Sequence, residues 1–250
     1  MIIDKYFSGL IDMGGWYKLE GDLLSSENLE IKIPLLVTGS IKAGKWIDAV
    51  EWIDAVEWIK AGGSIKAGEC IEAGKWIEAG EWIEAGKCIE AGEWIDAGEW
   101  IKAGECIDAV GSIKAGKCIE AGKCIDAGES IKAVGSIKAV GWIEAVECIE
   151  AGKSIKAGEW IKAGKCIDAG GSIKAVKIIV YKIDTKKLLI IHGLSFTILV
   201  LDTHLKIGCQ MKPKKEWLDF AESATIDDAK NLGDNGEMFA MKDFIISLCN

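Results

Sequence analysis

The chain has 250 residues, half of them apolar, and its 39 acidic residues outnumber 30 Lys, with no Arg, for a formal net charge of -9. An acidic chain without clustered cations excludes a nucleic-acid backbone as partner, because that affinity comes from basic side chains neutralising phosphates. Only Pro34 and Pro213 break the backbone and no linker divides the chain, so the composition describes one elongated domain with caps.

Residues 1–15, MIIDKYFSGLIDMGG, carry no basic leader and no long apolar run, so they read as an N-terminal cap and not as a secretory signal. From Ser40 to Lys177 the chain is twenty-three copies of a six-residue unit, [S/W/C]-I-[K/E/D]-A-[G/V]-[K/E/G]. Four diverged hexads (WYKLEG, DLLSSE, NLEIKI, PLLVTG) precede them, so the array covers residues 16–177. Six is an even number, and in extended chain it returns every Ile and every Ala to one face. In a helix the same step would smear Ile around the cylinder, and the frequent Gly would weaken it further. The array is therefore predicted to be strands that stack, since one hexad cannot bury its own apolar face.

The variable first position sets the coil. It is identical in eleven of twenty pairs of units three apart, but in three of twenty-one pairs two apart. Three hexads per turn make an 18-residue coil and a three-sided prism of nine coils, about 43 Å long at the usual strand spacing. Ile and Ala line the interior, because a narrow core cannot exchange Ser for Trp at one position. The Ser/Trp/Cys position and the charged position after Ile face outward, and the corner falls at the last two residues. Val at 50, 56, 110, 134, 140, 146 and 176 shows that the corner does not require a positive φ.

The unit resembles that of the hexapeptide acyltransferases, whose fold is a left-handed parallel β-helix with three hexads per coil. The phrase Gly-Ser-Ile-Lys-Ala-Gly at 39–44, 63–68 and 111–116 also resembles the bactofilins, polymer-forming proteins built on a right-handed three-sided β-helix. Both resemblances imply a parallel β-helix; they imply opposite hands, and the sequence leaves the hand open.

Beyond the array, residues 178–213 are read as terminal strands, with Ile179 and Tyr181 extending one side. Residues 214–250 are read as a helical cap: Trp217, Leu218 and Ala221 share a face, Thr225 and Asp228 form a capping box, and Met241, Phe244, Ile245 and Leu248 make an amphipathic helix. The apolar run Leu188–Leu201 is too short for a membrane span. Nine Cys without a secretory signal predict free thiols in an intracellular setting.

No nucleotide, metal or protease motif occurs, so no cofactor is expected. His192 and His204 are the only histidines and lie outside the array, leaving the catalytic loop histidine of the acyltransferases without a counterpart. The 18-residue coil stacks Cys70, Cys88, Cys106 and Cys124 in one column, Trp58, Trp76 and Trp94 in another, and Cys148 over Cys166. The third side carries Asp54, Glu72, Glu90, Asp108, Asp126 and Glu144, an acidic column ended by Lys162, which corner lysines are expected to screen. Trp82, Trp100, Trp142 and Trp160 complete the candidate interaction surface. Each column has two readings, duplicated cassettes or a selected surface. The expectation is a non-catalytic structural or scaffold protein that self-associates through Trp faces or coil ends. A carbohydrate- or protein-binding module and an acyltransferase-like enzyme are the alternatives.

Overall fold

The computed structural model describes residues 1–180 and, beyond them, residues 189–191, 198–200, 204–207, 210–213, 215 and 217–219. Each hexad forms one short strand, and the strands wind into three parallel sheets, which is the predicted three-sided β-helix. The register confirms the coil length: Ile59 pairs with Ile41 below and Ile77 above, and Ile71 with Ile53 and Ile89, each 18 residues away. The first side runs through Ile41, Ile59 and Ile77, the second through Ile47, Ile65 and Ile83, and the third through Ile53, Ile71 and Ile89.

The inward assignment holds throughout. Every array Ile from Ile41 to Ile173 is at most 2% exposed, and every array Ala from Ala43 to Ala163 at most 7%. A fully buried Ile contributes roughly 1.5 to 3 kcal/mol of transfer free energy, set against about 1 to 2 kcal/mol of backbone ordering per residue. Hydrogen bonds continue past the strand ends, so corners are as well paired as sides: the Ile59 amide donates to Trp76 O at 3.0 Å and the Gly62 amide to Ala43 O at 3.1 Å.

Among the described residues positive φ occurs only at Gly9, Gly14, Gly15 and Gly21, so the corners take an ordinary backbone conformation, as the valines implied. Glycine serves them through close approach instead. A Cβ on Gly62 would lie 2.1 Å from the Gly44 carbonyl oxygen one coil below. Within the pure array each corner Val has Gly above or below it, and none stacks on a second Val.

The ends depart from the hexad. β1 (Ile2–Ile3) adds in parallel to β5 (Leu29–Ile31) and so starts the second side. β2 (Leu10–Asp12) lies antiparallel to β3 (Tyr17–Leu19) and starts the third. Among the described residues no strand pairs with the outer edge of β4 (Leu23–Ser25), where the first side starts. At the far end the last coil is one residue short: Ile161 pairs with Ile178, and Lys162 with Ile179. Ile178 and Val180 therefore point inward, and Ile179, which the hexad phase put on the core face, does not.

Beyond the array β31 (Leu189–Ile191), β32 (Ile198–Val200), β33 (His204–Ile207) and β34 (Gln210–Pro213) form an antiparallel sheet, and β31 lies against β29 (Ile173–Lys174). Residues 215 and 217–219 are helical, and Trp217, 1% exposed, joins the apolar core. His192, Ala221, the capping box at Thr225 and the helix of Met241, Phe244, Ile245 and Leu248 lie outside the described residues.

Candidate functional surface on three outward faces

Because the core is uniform, whatever distinguishes one side from another lies in the first and third positions of the hexad. On the first side Trp58, Trp76 and Trp94 stack with ring centroids 4.8 and 5.1 Å apart and planes 1° from parallel. The Lys60 ammonium sits 5.8 Å from the Trp76 ring, a cation–π contact, while it pairs with Glu78 at 2.9 Å. On the third side Trp142 and Trp160 stack at 4.9 Å, and Trp16 meets Trp52 at a tilt. Stacked this way, neighbouring rings use each other's faces and present mainly edges to water. Trp82 and Trp100 pair on the second side, where Trp100, 51% exposed, is the most open tryptophan of the array.

The third side also carries the thiols and the acids, side by side. Cys106 pairs with Cys124, and strand register carries Cys70 and Cys88 into the same column. Two residues on, Asp54, Glu72, Glu90, Asp108, Asp126 and Glu144 form the parallel acidic column, and the first four line an open groove of about 400 Å³. Partial burial raises the proton affinity of Asp54, Glu72, Glu90, Asp108 and Asp126, and neighbouring carboxylates add to it at Glu72, Glu90 and Asp126. Only at the top does a cation enter the column, where Lys162 pairs with Glu144.

The expected screening by corner lysines is therefore corrected. Those lysines pair one coil down with corner glutamates: Lys75 with Glu57, Lys87 with Glu69 at 2.7 Å, Lys117 with Glu99 at 2.6 Å and Lys123 with Glu105 at 2.7 Å. Sequence reading missed these pairs, although shifting the charges by 18 residues would have found them.

The expectation of free thiols also needs correction. Cys148 and Cys166, in register on the first side, are joined as a disulfide with Cα atoms 4.6 Å apart. The Glu150 carboxylate lies within 4.8 Å of both sulfurs and is itself paired with Lys132 at 2.9 Å. Cys70, Cys88, Cys106, Cys118 and Cys124 are free thiols. Cys118 stands apart from the column, above Trp100 on the second side. Among the described residues no helix is long and apolar enough to cross a membrane. No protein-family model, curated protein or solved structure matches the chain significantly.

Proposed function

We propose that this chain is a non-catalytic structural or scaffold protein that self-associates through its outward ranks or coil ends. The face-to-face stacking of Trp58, Trp76 and Trp94 carries this reading. A carbohydrate platform offers ring faces to a sugar, whereas these rings spend their faces on each other and stiffen the prism. What remains outside is a regular comb of edges and charges at coil spacing, which a second copy of the same chain can match along its length. The outer edge of β4, which pairs with no strand among the described residues, supplies a strand edge for end-to-end contact.

Light scattering and electron microscopy of the intact chain, beside one ending at Lys212, test the proposal. Rods or defined oligomers in either form are the expected result. A strict monomer in both forms would overturn it. The second reading, a binding module, rests on the open ring of Trp100. It requires saturable binding of a soluble glycan or protein that Trp100→Ser abolishes.

A further inference from the structure

Four thiols stand in one vertical rank, half-buried, one per coil. Strand register sets Cys106 directly against Cys124 one coil away and carries Cys70 and Cys88 into the same line. Parallel strands repeat at about 4.7 to 4.9 Å. A zinc–thiolate bond is about 2.3 Å, and on that scale an ion bridging two sulfurs in a line needs them about 4.6 Å apart. Strand spacing and bridge length coincide. Thiolates select soft cations, and the carboxylates of Glu72, Glu90, Asp108 and Asp126, two residues further along each strand, add negative potential without competing as soft ligands.

We propose that Cys70, Cys88, Cys106 and Cys124 form a ladder that binds soft monovalent cations of the copper(I) or silver(I) type, one ion held between each pair of neighbouring sulfurs. Four sulfurs leave three gaps. Cys88 and Cys106 each bridge two ions, and Cys70 and Cys124 each hold one. As the metal–sulfur bonds form, each thiol releases its proton to solvent and no electron moves; four thiolates with three cations carry one net negative charge.

The experiment uses the full chain, reduced and then freed of reductant, titrated with silver(I) in chloride-free buffer. Bound silver that resists a soluble monothiol is counted, because a single protein thiol gives way to such a competitor and a two-sulfur bridge does not. Cys70→Ser closes one gap and should lose one resistant equivalent. Cys106→Ser closes two and should lose two, while Cys118→Ser should lose none. Ser occupies this hexad position in seven units of the array, so these variants keep a side chain the fold already uses, and circular dichroism checks it. Equal losses from Cys70→Ser and Cys106→Ser would mean independent thiols and overturn the ladder. A loss from Cys118→Ser as large as that from Cys106→Ser, or no loss from any variant, would mean adventitious binding only and overturn it equally.

Discussion

Between Ile59 and Ile107 the first and third sides of the prism are the same inside and opposite outside. Ile59, Ile77 and Ile95 on one and Ile71, Ile89 and Ile107 on the other are all 0% exposed and held in the same 18-residue register. Outside, the first side stacks three tryptophans that attract one another and pairs Lys60 with Glu78. The third stacks carboxylates that repel one another. The inward positions thus set the fold regardless of what is displayed. The outward positions then add to stability on one side and subtract from it on the other.

The largest effects should come from the positions where the two sides agree. Ile77→Asp and Ile89→Asp each place a carboxylate without a partner in a dry core and should each cost about 3 kcal/mol or more. Truncation to Ala at either position should cost about 2 to 5 kcal/mol. Urea denaturation followed by circular dichroism measures both pairs. A clear difference between the sides would show that they are not equivalent inside, and would break the comparison.

This equivalence is also the part of the molecule that the sequence made legible. An even repeat with invariant Ile and Ala fixes which face is buried, and identities three units apart fix the coil, so the vertical columns follow by counting. What counting could not supply is anything that departs from the hexad. The one-residue shortening that turns Ile178 inward in place of Ile179 leaves no trace in the periodicity. Nor does the recruitment of Ile2 and Ile3 into the second side, since that pairing joins segments of unrelated sequence. The Cys148–Cys166 pair was legible as a stack but not as a bond, because register brings two sulfurs together without stating their oxidation state.

A smaller effect tests the attraction on the first side. Trp76 has a stacked ring on each face, and an aromatic pair contributes about 0.5 to 1.5 kcal/mol beyond the area it buries. Trp76→Ala should therefore cost roughly 1 to 3 kcal/mol, and Trp58→Ala, which breaks one of these stacks, about half as much. On the third side Cys88→Ser should leave stability within about 0.5 kcal/mol. Equal costs for Trp58→Ala and Trp76→Ala would show that ring stacking contributes little and that each Trp packs only against its own coil.

The smallest effects concern charge, and here the two sides should differ in sign. Glu78→Gln removes a partner of Lys60 and should lower stability by up to about 1 kcal/mol. Glu90→Gln relieves the repulsion from Glu72 and Asp108 and should raise it. The pH dependence carries the same contrast. Asp54, Glu72, Glu90, Asp108 and Asp126 hold protons more readily folded than unfolded, so as pH falls from neutral the folded state takes up protons first. Stability should therefore rise as pH approaches, from above, the ordinary values of 3.8 for Asp and 4.5 for Glu. Glu105 acts in the opposite sense: its hydrogen bond and ion pair with Lys123 hold its proton affinity down, so its contribution is lost only as pH falls through a value below 4.5. The melting temperature should pass through a maximum on the acid side of neutrality. Replacing Glu72, Glu90 and Asp108 together with their amides should flatten the rise and leave the later fall in place. A wild-type curve that only declines on acidification would mean that the carboxylates of the column are solvated well enough not to feel one another, and the third side would then be no less stable outside than the first.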